Sequence, residues 1–245
     1  MKLLLTNDDG YQSEGIKVLA ETLARDHEVF IFAPDSERSG MSHAMSLRTP
    51  GKVRRRAERE YSCSGTPADC VILAGLGAIP FQPDAVVSGI NRGPNLGTDL
   101  VYSGTAAAAR QASMHGLPGI AVSLATYEPP FEYLPAARFI ARHLPELLAL
   151  WDPEVFVNVN VPPLPADGLP EGVTAYPSRR RYRDKLRSFE APDGYSYCFL
   201  ADGKVETDPW DEGDEAAIRA GKAAVSRVLV YPAVPGDFRA GIALG

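Results

Sequence analysis

Leu3-Leu4-Leu5-Thr6-Asn7-Asp8-Asp9-Gly10, at the start of the chain, is the stretch whose reading decides the fold. A short unbroken apolar run that stops abruptly at polar residues and a glycine reads as a strand buried on both faces. Such strands belong to parallel sheets covered by helices. Successive strand residues point to opposite faces, so Asp8 and Asp9 can converge only where the chain has left the strand, and Gly10 supplies that break. Two carboxylates brought together repel unless a cation neutralises them, and a hard divalent ion with oxygen ligands is the natural partner. A turn with two solvated acids accounts for this cluster equally well when it is read alone.

Working outward, the first half alternates short apolar runs with helical periodicity, the mark of βαβ units. Lys2–Thr6 is the first strand; Ile16, Leu19, Ala20 and Leu23 follow at helical spacing, with Ser13 as N-cap. Glu28–Ala33, Asp84–Ser88, Gly119–Ser123 and Val155–Val159 read as further strands. Helices are expected from Thr66-Pro67-Ala68-Asp69, a capping-box-like start, from Ser103 to His115, and over Tyr133–Leu150. The expected architecture is α/β: a Rossmann-like three-layer core with a mostly parallel sheet, plus a C-terminal β-hairpin arm. Residues 1–161 form the core and 162–212, rich in Pro, Gly, Arg and Tyr, an excursion with a strand near Ser196–Leu200. Residues 213–245 return to the core through a helix at Glu215–Lys222 and a strand at Val225–Tyr231, ending in a short tail.

With 245 residues, 45% of them hydrophobic, the chain can bury a full core, and its net charge of −6 disfavours a nucleic-acid polymer as partner. Three cysteines without metal-ligand spacing, no leader and no long apolar run predict a cytoplasmic protein away from membranes.

Three more polar clusters accompany the first. Pro34-Asp35-Ser36-Glu37-Arg38-Ser39-Gly40 offers a hydroxyl ligand in Ser39. Ser88 to Gly97 offers an amide oxygen from Asn91 and an amide donor from Asn95 among glycines. Tyr102-Ser103-Gly104-Thr105 caps an alanine-rich helix whose N-terminus attracts anions. Ligands of open α/β sheets bind along the carboxyl edge, where these clusters are expected. A metal beside an anion-binding helix end suits metal-assisted hydrolysis of a phosphoester. The G-x-x-x-x-G-K-[ST] loop of nucleoside triphosphate enzymes is missing from the sequence. So is a D-x-D pattern at Asp8 and Asp9, because Gly10 and Tyr11 stand two residues beyond them.

These motifs, together with Gly65-Thr66-Pro67-Ala68-Asp69-Cys70-Val71, closely resemble the SurE family of stationary-phase survival proteins. The resemblance implies a metal-dependent phosphatase acting on nucleoside 5′- and 3′-monophosphates, in some members also on short polyphosphate. It implies Asp8, Asp9, Ser39 and Asn91 as ligands of Mg²⁺, Mn²⁺ or a similar ion, and a homodimer or homotetramer built through a swapped C-terminal arm. In the mechanism expected on this basis, Asp8 or Asp9 orients or deprotonates the attacking water, while Asn95, Ser103, Gly104 and Thr105 hold phosphate oxygens. His43 is the nearest candidate acid for the leaving oxygen, although a lone loop histidine is more often structural. Arg179-Arg180-Arg181 reads as a solvated face or a subunit contact before it reads as a phosphate-steering patch. The chain departs from the family pattern in the alanines after Thr105, at Lys222–Val228 and in the tail after Pro235. A receiver-like signalling module, binding a metal through Asp8 and Asp9 without turnover, is the competing reading; it leaves the Asn, Gly and Ser clusters unexplained.

Overall fold

The computed structural model describes residues 1–232; the tail after Pro235 falls outside them. Strand β1 (Lys2–Thr6) lies in the interior of a nine-stranded sheet, fourth from one edge, and Leu3, Leu4 and Leu5 are fully buried. Leu3 and Leu5 pack into the hydrophobic layer on one face and Leu4 into that on the other, as the period-two alternation of a strand requires.

On one side β1 pairs in parallel with β2 (Glu28–Pro34). Beyond β2 come β4 (Glu60–Cys63), also parallel, and the antiparallel edge strand β3 (Val53–Arg55). On its other side β1 pairs with β5 (Ala85–Arg92), followed by parallel β6 (Gly119–Leu124) and β7 (Val155–Val161). The sheet is therefore wound both ways from β1, and the gap between the ends of β1 and β5 is its topological switch point, where α/β sheets open a crevice.

Helices α1 (Glu14–Leu23) and α4 (Leu134–Ala149) cover one face through Ile16, Leu19, Phe139 and Ile140. Helices α2 (Pro67–Gly75) and α3 (Gly104–Met114) cover the other through Val71, Ala108 and Ala112. The expected capping box opens α2: Asp69 N–H donates to Thr66 Oγ1, and Thr66 N–H donates to Asp69 Oδ2. Ser13 precedes α1 but does not cap it with its side chain; its hydroxyl oxygen accepts from Asn7 Nδ2 instead.

Two arrangements differ from the sequence reading. Strand β5 does not stop at Ser88 but runs on to Arg92, so Asn91 belongs to the strand end rather than to the loop. The excursion also contributes to the main sheet: β8 (Gly172–Thr174) pairs with β11 (Ala223–Leu229), which runs antiparallel to β7. The rest of the excursion is a long hairpin, β9 (Arg180–Glu190) against β10 (Ser196–Thr207), followed by α5 (Asp214–Arg219). Among the described residues no helix is long and apolar enough to cross a membrane.

Candidate active site

The site begins with the turn that ends β1. Asn7, fully buried, closes it: Gly10 N–H donates to Asn7 Oδ1 at 3.1 Å, and Asn7 Nδ2 donates to Gly10 O at 3.0 Å and Ser13 Oγ at 2.6 Å. Gly10 adopts φ +96°, a region costly for side-chain-bearing residues, which is why a glycine stands there. The turn splits the two acids. Asp8, only 3% exposed, accepts from Gly104 N–H at 3.2 Å and from the Thr105 hydroxyl, both at the start of α3. Asp9 turns to the other side, where Arg92 N–H donates to its Oδ2 at 3.1 Å.

Burial raises the pKa of Asp8 above the ordinary carboxylate range, against the pull of its hydrogen bonds. Burial and the neighbouring charge of Asp8 push Asp9 up to about 6. Among the described residues no cationic side chain pairs with Asp8.

Asp8 opens onto a cleft of about 190 Å³, and Ser39, Asn91, Asn95 and Ser103 line the same cleft. Each arrives from a different element. The Ser39 loop, after β2, is anchored by Arg38 N–H donating to Asp8 O at 2.7 Å and Arg38 Nη2 donating to Ser64 O at 2.9 Å. Asn91, at the end of β5, gives its Nδ2 to Gly93 O at 2.9 Å. Asn95 is held by two buried asparagines of β7. Its N–H donates to Asn160 Oδ1 at 2.8 Å, and its carbonyl accepts from Asn158 Nδ2 and Asn160 Nδ2. These bonds account for two polar residues in an otherwise apolar strand, with Asn158 Oδ1 the one side-chain atom of the pair left buried without a partner. Ser103 caps α3 by accepting from Ala106 N–H at 3.0 Å, which leaves its own hydroxyl proton available.

Asp9 lines a neighbouring hollow of about 270 Å³ with Glu37, Arg92 and Tyr133. Gly104 and Thr105 do not line the cleft; the Gly104 N–H and the Thr105 hydroxyl, assigned above to phosphate oxygens, are engaged by Asp8. Gly104 is required for that approach, because a Cβ on it would lie 2.8 Å from Asp8 Cβ. His43 lies outside the cleft lining as well. Its Nε2 is paired with Gln111 Oε1 at 2.8 Å, and burial lowers its pKa.

Sequence reasoning missed one side of the cleft, formed by Asp99, Tyr102, Tyr127 and Tyr182. Asp99, in the 3-10 turn Gly97–Val101, is buried and accepts from the Arg180 guanidinium and the Tyr182 hydroxyl. The basic run is thus no uniform solvated face. The Arg180 side chain is 8% exposed, whereas Arg181 reaches outward to Asp208 at 2.8 Å. Period two along a strand places Arg180 and Tyr182 on one face, and that alternation was the available signal.

A doubly wound α/β sheet with a buried acid at its switch point, set against the N-terminus of a helix, defines a class of proteins that hold a polar ligand at the carboxyl edge. The family model described as "Survival protein SurE" matches residues 3–184. The chain belongs to this family. A protein named 5′-nucleotidase SurE from Kosmotoga olearia is 39% identical over 236 residues, 94% of this chain and 93% of the relative. Another of that name from Thermosynechococcus vestitus is 44% identical over 220 residues, 86% of this chain and 82% of the relative. The crystal structure of the SurE protein from Aquifex aeolicus superposes with a TM-score of 0.80 at 31% identity, covering 94% of each chain.

Proposed function

We propose that this chain is a phosphoric monoester hydrolase, a metal-dependent nucleotidase that releases phosphate from nucleoside 5′- and 3′-monophosphates, with short polyphosphate as a further substrate. One observation carries the reading. The buried Asp8 carboxylate, without a cationic partner among the described residues, shares one cleft with the oxygen donors Ser39 and Asn91. The names of the relatives supply the substrate class.

This donor set fits a hard divalent ion, because it is all oxygen and an uncompensated buried carboxylate is costly. Asp8, Ser39 and Asn91 would hold Mg²⁺ or Mn²⁺ from the cleft, joined by Asp9 from the adjoining hollow. When bound, the ion supplies Lewis-acid polarisation of the phosphate and acidifies water. The protein's own groups do the positioning. The Ser103 hydroxyl lines the cleft as a donor for non-bridging oxygens, with the second N–H of the Asn95 amide, whose Nδ2 also donates to Ser123 Oγ at 2.9 Å, and the N-terminus of α3 adds a favourable dipole. Asp9 has Oδ2 engaged by Arg92 N–H and keeps Oδ1 to orient the attacking water or take its proton.

The hairpin arm supports a homodimer or homotetramer. Phe189 stacks on Tyr197 and Phe199 on an exposed face, with ring centroids 5.3 and 6.0 Å apart. Exposed apolar patches of this kind mark association surfaces.

The test is phosphate release from AMP after chelation, with Mg²⁺, Mn²⁺ or Co²⁺ restored. Turnover should vanish without metal and return with it, and Asp8→Asn should abolish it. Full activity of Asp8→Asn at saturating Mg²⁺ would refute the assignment. Stoichiometric self-phosphorylation without turnover would favour the receiver-like module.

A further inference from the structure

Three tyrosines from separate segments meet on the cleft that holds Asp8: Tyr102 after the 3-10 turn, Tyr127 after β6, and Tyr182 on β9. None is a metal or phosphate ligand in the reading above. These residues remain 56%, 64% and 40% exposed. A single exposed tyrosine is unremarkable, but this group is built. The Tyr182 hydroxyl donates to buried Asp99, and Asp99 also pairs with the Arg180 guanidinium. That guanidinium lies beside the Tyr127 hydroxyl. Gly93 passes so close to Tyr127 that a Cβ there would lie 3.0 Å from the ring. The polar tips of Tyr127 and Tyr182 are thus anchored, Arg180 lies over one face of the Tyr182 ring at 6.0 Å from its centroid, and the exposed parts of the rings line the cleft.

Such a wall is shaped for a flat aromatic group. Fixed tyrosines offer large contact area at low entropic cost, and stacking on them tolerates any base. It is a poor wall for more phosphate. Among the residues lining the cleft Arg92 alone is basic, and Asp99 adds a negative charge already paired with Arg180. Resting on the nucleotidase reading, we propose that Tyr127 and Tyr182, backed by the Asp99–Arg180 pair, form the nucleobase subsite. They set the preference for nucleoside monophosphates over phosphomonoesters without a base. Because Arg180 and Tyr182 stand at the root of the hairpin, the arm completes the substrate pocket of its own chain.

The measurement is the ratio of kcat/KM for AMP to that for ribose 5-phosphate, which lacks only the base, on the full chain with saturating Mn²⁺. Tyr127→Leu and Tyr182→Leu should each lower this ratio at least tenfold, through KM for AMP, while Tyr127→Phe keeps it within about twofold of the parent. A merely structural role would lower both substrates together and leave the ratio in place. A ratio that holds within twofold in both leucine variants overturns the subsite. A parent protein that cleaves ribose 5-phosphate but no nucleoside monophosphate overturns the nucleotidase reading itself, and the subsite with it.

Discussion

Replacing Gly104 by alanine should separate activity from stability. The added methyl would sit 2.8 Å from Asp8 Cβ and 3.0 Å from Oδ2, where ordinary contact begins near 3.4 Å. The nearest obstacle, Asp8 Cβ, is fixed to the backbone, so the turn after β1 or the start of α3 must shift by several tenths of an ångström, stretching the bond from Gly104 N–H to Asp8, already 3.2 Å long. Overpacking of this size costs about 1–3 kcal/mol. Against it, alanine gains up to about 1 kcal/mol over glycine in a helix, and less at its first residue. Net destabilisation should be about 1 kcal/mol, or about 2–4 °C in Tm for a domain of this length. The catalytic cost is larger, because a displacement approaching 1 Å in a positioned group costs up to about 10²-fold. We expect kcat/KM for AMP to fall about 10- to 100-fold, and the apparent affinity for Mn²⁺ to weaken with it. Thermal unfolding together with a metal titration of activity reads both quantities. A Gly104→Ala protein with parental kcat/KM and parental metal dependence would show that the contact between α3 and Asp8 does not set the site.

Two further predictions concern the frame around the site. Asp69 is held by Ser46 N–H, the Ser46 hydroxyl and Thr66 N–H at 2.7–2.9 Å; burial opposes its charge, but these donors outweigh burial and lower its pKa. A carboxyl depressed in the folded state stabilises above its unfolded pKa of about 3.9 and loses that contribution as pH falls through the folded value. Asp69→Asn should therefore cost about 2 kcal/mol at pH 7 in urea unfolding, and its deficit should shrink below about pH 4; a deficit independent of pH would contradict this. Gly97, at φ +50°, would place a Cβ 1.7 Å from Ser178 O, a backbone atom that cannot swing aside. Gly97→Ala should cost at least about 2 kcal/mol and lower Tm by at least about 4 °C; an unchanged Tm would refute the packing described at the arm's root.

What the sequence disclosed follows from the range of the forces involved. The Leu3–Leu5 run, the Thr66–Asp69 box and the Ser103 cap are local devices, satisfied within a few residues, and each stands where the pattern places it. Strand β3 escaped because Val53-Arg54-Arg55 is an exposed edge, and charged edges, which guard against unwanted pairing, carry no apolar signature. The reversed direction of β11 was illegible, since a buried strand presents the same residues whichever way it runs. The break at Gly10 was legible as the place where Asp8 and Asp9 leave the strand, but their separate partners, Arg92 N–H and the start of α3, were not, because both lie more than eighty residues away. The pairing of Asp99 with Arg180 joins positions 81 apart and gives no local trace beyond the alternation of Arg180 with Tyr182.

The alanines after Thr105 acquire a physical reason in this setting. Ala106, Ala107, Ala108, Ala109 and Ala112 are all completely buried, and α3 lies so close to the sheet that a Cβ on Gly119 would fall 2.0 Å from Ala109 O. Larger residues on the sheet-facing side would lift the helix, and its first turn would leave with it. That first turn is what grips Asp8, through Gly104 N–H and the Thr105 hydroxyl. The small-residue composition therefore acts at a distance along the helix axis. It sets the height of α3 above β5 and β6, the height sets the separation of its N-terminus from the end of β1, and that separation holds the buried acid toward the cleft. Because the interior is close-packed, the displacement has nowhere to be absorbed between Ala109 and Gly104. In this chain the spacing of the core and the position of its central carboxylate are one variable.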